Sequence, residues 1–217
     1  MKEVGILVVA DGLGDDIRNR FKASIRFSKP RASYDVHIMG GKERRAKGVP
    51  FNKCKLLNQG LRTMFDIGYQ VIIQADIDLI VPPVLVDKTY ELAMRDKLCI
   101  HQSMRRISAD EYNKYKEYRS FPFNQWKKIK AIYATGCWNG IIMSNWKLTG
   151  GFNEDMIEWG YEDRDWRERC IRVGVRWKDV HKFPLMHVDH PNRTKNVSLR
   201  NVEVGKRAKR EERQNWL

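Results

Sequence analysis

The sequence predicts an α/β fold, a Rossmann-like and mostly parallel sheet flanked by helices. Three observations predict it. Val4 to Ala10 is a largely apolar run cut off by Asp11-Gly12, the pattern of a strand buried on both faces. Asn52 to Gly68 sets Cys54, Leu56, Leu57, Leu61, Met64 and Phe65 on one helical stripe. Val71-Ile72-Ile73-Gln74-Ala75 is a third-strand candidate that runs straight into Asp76-Ile77-Asp78. Strands and helices in alternation argue for parallel pairing. In such sheets ligands bind beyond the carboxyl ends of the strands.

The remaining elements follow in order. Asp15 to Ser28 reads as a helix, and Tyr34 to Met39 as a strand ended by Gly40-Gly41. Lys42 to Gly48 is a basic loop, and Gly68 is a helix stop. After Pro82-Pro83, Val84 to Arg95 is helical and Leu98 to His101 a strand. From Arg105 to Lys130 the character changes: cations interleave with Tyr112, Tyr115, Tyr118, Phe121, Phe123 and Trp126. Val173 to Trp177 is strand-like, and His187-Val188-Asp189-His190 follows. The chain is basic from Arg193, with Lys206 to Arg213 a charged helix or a frayed tail. The expected organisation is one domain over residues 1–192 and a basic extension over 193–217.

Composition narrows the function classes. With 217 residues and 42% hydrophobic content the chain can bury a sizeable core. There is no apolar run long enough for a membrane span. The apolar start carries no small-residue cleavage site, so a signal peptide is not expected and a cytoplasmic protein is, in a host cytoplasm if the source is viral. Cys54, Cys99, Cys137 and Cys170 form no CxxC pair, which argues against a zinc knuckle or a redox motif. The net charge of +14 points to a polyanionic partner or substrate, set against a merely solubilising surface.

Three motifs carry chemistry. Asp76 and Asp78, two apart at a strand end, can reach a divalent cation and a ribose together, and hard cations such as Mg²⁺ and Mn²⁺ favour such oxygens. His187 and His190 could complete a ligand set; alone they read as a surface loop. Glu162, Asp163 and Asp165 crowd together behind Gly150-Gly151-Phe152 and Trp159-Gly160-Tyr161. Such crowding suits either a helix start, whose positive end favours acids, or a carboxylate held beside a reacting hydroxyl.

Phe51 to Gly60, Asp76-Ile77-Asp78 and Gly150 to Asp165 together resemble the GT-A fold glycosyltransferases, most closely the β-1,4-galactosyltransferase group and its bacterial and viral relatives. The resemblance covers roughly 49–190. It implies an inverting transferase that uses a nucleotide-diphosphate sugar, a UDP-sugar in this group, and a divalent metal, Mn²⁺ or Mg²⁺. By position it implies Asp78, His190 and His187 as metal ligands, Asp163 as catalytic base and Glu162 as its neighbour at the donor sugar. It implies Asp76, Phe51, Asn52, Lys53, Gly151 and a stacking Trp159 at the nucleotide-sugar. Asp11 stands where the group has an Arg-rich uridine motif, and Arg164 where it has an acidic residue facing the acceptor.

Arg164, Asp165, Arg105, Arg106 and Trp126 are therefore the candidate acceptor-binding residues. Cations alternating with aromatics suit a polyanion with stackable bases, or else a helix with one solvated and one buried face. The first reading is a bacteriophage-type enzyme glycosylating a hydroxymethylated pyrimidine in DNA, with nucleic acid as partner. The alternatives are transfer to a glycan or polysaccharide, and an inactive nucleic-acid-binding module on the same scaffold.

Overall fold

The computed structural model describes residues 2–13, 15–41, 50–96, 98–115, 121–158, 160–189 and 199–210. Strand β1 (Val4–Val9) is followed by helix α1 (Asp15–Ser28), β2 (Tyr34–Met39), α2 (Lys53–Ile67) and β3 (Val71–Asp76). β1 lies between β2 and β3 and is parallel to both. Two-residue β4 (Leu79–Ile80), α3 (Leu85–Asp96) and β5 (Cys99–Ile107) come next. Single-turn helices α4 (Ala109–Asn113) and α5 (Phe123–Trp126) then lead to β6 (Trp138–Ile142), α6 (Met143–Thr149) and α7 (Glu162–Arg172). β7 (Trp177–Val188) and α8 (Leu199–Arg210) end the described chain. The sheet order is β2-β1-β3-β6-β5-β7-β4. One half is thus parallel; in the other, β6 runs antiparallel to both β3 and β5, while β5 and β7 are parallel.

The apolar strands are continuous because both faces of the sheet are covered. Val4, Ile6 and Val8 of β1 join Phe21 and Ile25 of α1 in one core, while Leu7 and Val9 join Leu57 and Leu61 of α2 in another. Asn52 caps α2, its side chain accepting from the Lys55 amide, and Gly68 ends it in the left-handed conformation that costs glycine least. The predicted helix over Asp15–Ser28 and strand over Tyr34–Met39 form as expected.

Three expectations change. The strand foreseen at Leu98–His101 continues to Ile107. The stretch from Val173 is not yet strand: Gly174 turns the chain at φ 77° and β7 begins only at Trp177. The described aromatics between 105 and 130 do not form an exposed stacking surface, and Tyr118 lies outside the described residues. Tyr112, Phe121 and Trp126 are buried with Ile80, Met186 and Val188 in a third small core. The basic loop from Lys42 to Gly48 lies outside the described residues.

Candidate active site

The carboxyl end of β3 carries Asp76, and the antiparallel pairing of β4 with β7 sets Leu79 opposite His187. That register brings Asp78 Oδ2 to 2.9 Å from His187 Nε2. Asp189 Oδ1 stands 3.6 Å from the other ring nitrogen. A carboxylate oxygen and an imidazole nitrogen that converge in this way are an O/N donor pair of the kind manganese accepts. Among the described residues no third His, Cys, Asp or Glu joins them to make a metal-binding group. His190, the second imidazole expected there, lies outside the described residues, as does Trp159.

The second cluster is built by α7 and α2. Lys53, at the start of α2, is buried among three carboxylates: Glu162 at 3.0 Å, Asp76 at 3.6 Å and Asp163 at 3.9 Å. Burial alone would push the ammonium towards neutrality, but Asp163, Glu162 and Asp76 outweigh it and hold its pKa well above the ordinary lysine value. Glu162 is fully engaged, accepting from Lys53 Nζ and from the Gly160 amide. It therefore braces the cluster.

Asp163 is different. Its side chain is 24% exposed, and its Oδ1 has no hydrogen-bond partner among the described residues. Burial, and then Glu162 and Asp76, push its pKa up to about 7 against the pull of Lys53. Asp76 also titrates above the ordinary carboxylate range, chiefly through burial. Asp76 and Asp163 share a cavity of about 630 Å³ with Met104, Thr135, Gly136, Cys137, Tyr161, Arg164, Val202 and Lys206. That volume suits one or two sugar rings within the usual range for ligand sites.

The wall opposite Asp163 is exacting. A Cβ on Gly136 would stand 1.9 Å from Asp163 Oδ2. The loop holding Gly136 is pinned from below by a buried polar chain: Gln74 donates to the Gly136 carbonyl, Asn139 donates to Gln74 and to the Thr135 carbonyl, and His101 meets Asn139.

The loop before Asp163 is strained, with Glu158 at φ 61° and Tyr161 at φ 75°. Such conformations persist only when the surroundings over-determine them. Here Phe51 and Glu158 bond each other through the Phe51 amide and carbonyl. Asn201, fully buried on α8, accepts from the Ile157 amide and donates to the Gly160 carbonyl. The stretch read as a basic extension therefore supplies part of the site's frame. Asn201, Lys206, Gly136, Gln74 and Asn139 were not among the expected residues. The one available signal was Gly136, a glycine in Ala134-Thr135-Gly136-Cys137 just ahead of Trp138-Asn139-Gly140-Ile141-Ile142.

Other expected residues have different work. Phe51 is a core residue, and Asn52 caps α2 while donating to the Glu154 carbonyl. Gly151, at φ 77°, is buried in the turn that follows α6. Asp11 accepts from the Gly41 amide and so ties the β1 and β2 ends together. Three acceptor assignments are corrected. Asp165 is buried against Arg169 at 3.0 Å, and Arg169 in turn donates to the Thr149 carbonyl. Arg105 donates to the Ile129 and Phe183 carbonyls from a 6% exposed position. Trp126 is 2% exposed in the third core. Arg106 stays exposed, 3.9 Å from Asp189. Of the acceptor candidates, Arg164 alone lines the cavity.

Comparison with known proteins finds similarity in sequence over one segment and in fold over most of the chain. The model of the family described as the N-terminal domain of galactosyltransferase matches residues 122–195. No curated protein matches the chain. Among solved structures, the catalytic domain of Drosophila β1,4-galactosyltransferase 7 with xylobiose superposes with a TM-score of 0.66 at 15% identity, over 95% of this chain and 80% of that one. A point mutant of the Drosophila enzyme with manganese, UDP-Gal and xylobiose gives 0.66 at 14% identity, again over 95% and 80%. The fold is the GT-A fold, and residues 122–195 are similar to the galactosyltransferase family described above.

Proposed function

We propose that this chain transfers a sugar from a UDP-sugar to a hydroxyl of a glycan acceptor, with inversion. The observation that carries the reading is Asp163: a carboxylate with one oxygen buried 3.9 Å from Lys53, lining a sugar-sized cavity beside Asp76 at the end of β3. A base with a pKa near 7 is matched to taking a proton from a hydroxyl at neutral pH. The acceptor oxygen, losing its proton to Asp163, attacks the anomeric carbon from the face opposite the leaving nucleotide. Lys53 and Glu162 hold Asp163 and Asp76 in place, and Gly136 gives the base room. A divalent cation held by Asp78 and His187 would offset the negative charge that builds on the diphosphate. The manganese and UDP-Gal bound by the Drosophila relative support this donor and cofactor.

A glycan acceptor is favoured over modified DNA. The case for DNA rested on the net charge, on Arg164 and on the lack of a membrane span, with aromatics interleaved with cations as a further hint, and of those aromatics Tyr112, Phe121 and Trp126 are committed to the third core. The xylobiose bound by the Drosophila enzyme points the same way. The test is transfer from a panel of UDP-sugars to glycosides and to hydroxymethylated duplex DNA, with Mn²⁺ and with EDTA. Transfer to glycosides, lost with EDTA and lowered roughly 10²- to 10⁴-fold by Asp163→Asn, is expected. Transfer that Asp163→Asn leaves intact rules out the base, and transfer to DNA alone overturns the acceptor.

A further inference from the structure

The cavity at Asp163 has two electrically different walls. Asp76 and Asp163 form the acidic one, and Arg164 and Lys206 the basic one. Two elements distant in sequence converge to make the basic wall. Arg164 follows the base on α7, its guanidinium 5.6 Å from the centre of the Tyr161 ring. Lys206 comes from α8, one turn after Val202, so that both face the same cavity. Gly205 permits the approach, since a Cβ there would lie 2.8 Å from the Tyr161 ring.

Neither cation is consumed by the fold. Among the described residues Arg164 pairs only with Glu168, at 3.3 Å, an exposed i,i+4 contact of the kind worth little. Lys206 is exposed and has no ion pair among the described residues. Nor do these cations share the cavity lining with Asp78 or His187, where the diphosphate charge would be met.

On the reading of the chain as a glycan-directed transferase, we propose that Arg164 and Lys206 form a subsite for an oxyanion on the acceptor: the substrate is an acidic sugar, bearing a carboxylate or a phosphate. The reacting hydroxyl lies at Asp163 while the anion lies on the basic wall, which fixes how the ring enters. Arginine suits this role because its planar fork binds carboxylate or phosphate through two parallel hydrogen bonds. Lysine adds a mobile point charge from the facing helix.

The experiment is calorimetric binding, with UDP and Mn²⁺ present, of three nitrophenyl glycosides: β-glucuronide, 6-phospho-β-glucoside and β-glucoside. The proteins are the wild type, the double variant Arg164→Gln/Lys206→Gln, and Arg207→Gln as a charge control elsewhere on α8. At least one anionic glycoside is expected to bind about tenfold tighter than the glucoside to the wild type. Which of the two it is separates carboxylate from phosphate. The double variant closes the gap and Arg207→Gln keeps it. Equal binding of all three, binding of none, or a gap that survives in the double variant overturns the proposal. So does a double variant that weakens UDP and leaves the gap, because the cations then serve the donor. Sugar transfer is assayed in parallel. A binding gap without transfer to any acceptor overturns the transferase reading and keeps the anion subsite, whereas transfer without a gap overturns the subsite alone.

Discussion

Asp163 sits in the first turn of α7, where backbone amides favour a charged carboxylate. Burial wins nonetheless and raises its pKa to about 7. The charged groups around it are Lys53 from α2, Asp76 from β3, Glu162 from its own helix, and Arg164 and Lys206 across the cavity. The base must be ionised to work, so kcat/KM is expected to rise with pH and level off above about 7. Lys53→Met removes the cation that pulls the pKa down, so the midpoint of that rise should move upward. A profile flat from pH 5 to 9, or a midpoint that Lys53→Met lowers, would refute the assignment. Stability moves the other way. The folded pKa exceeds the unfolded value, so the contribution is whole at acid pH and is lost as pH climbs through about 7. Asp163→Asn should therefore melt above the wild type at pH 8 and approach it near pH 4.

At the scale of elements, α8 is the helix that turns a fold into a site. It contributes Lys206 to the cavity and holds the strained turn ahead of α7 through Asn201. Asn201→Ala leaves the Ile157 amide and the Gly160 carbonyl unpaired, at a cost of about 1–3 kcal/mol for each group that stays buried. The melting temperature should fall by roughly 4–10 °C while the far-UV spectrum is kept. The turn leads directly into Glu162 and Asp163, so kcat should drop about 10- to 100-fold. Unchanged kcat in the folded variant would show that the turn needs no help from α8. Sequence reading found the elements whose periodicity is unmixed: the apolar run of β1, the striped α2 with its Gly68 stop, and β3 ending in two aspartates. It missed β6, because Trp138-Asn139-Gly140-Ile141-Ile142 breaks alternation and carries a glycine in its middle. That glycine serves packing: a Cβ on Gly140 would stand 2.0 Å from the Thr89 side chain on α3. Asn201 was invisible for a related reason, since its partners are backbone groups some 40 positions away, which no local pattern records.

Over the whole molecule, the net charge of +14 and the acidic site are two sides of one arrangement. The chain gathers Asp76, Glu162 and Asp163 around the buried Lys53, with Asp78, near Asp76 in the sequence, set against His187. An anionic nucleotide-sugar approaching bare carboxylates would be repelled. A cationic surface around such a cleft reverses that field and raises the local concentration of anions. The aromatics between 105 and 130 then need no nucleic acid to explain them. Tyr112, Phe121 and Trp126 fill the third core, with Tyr115 and Phe123 packed against it, while Arg106, Lys127 and Lys128 stand exposed. Field effects of this kind are screened by salt, whereas contacts inside a cleft are screened much less. With a saturating neutral acceptor, kcat/KM for the UDP-sugar should fall severalfold as NaCl is raised from about 50 to about 500 mM, while kcat itself changes little. A kcat/KM that ignores salt would mean that the positive charge is spread where the donor does not feel it. A kcat that falls in step would place the effect within the bound complex, on the cluster of Lys53 and its carboxylates, and not in the approach.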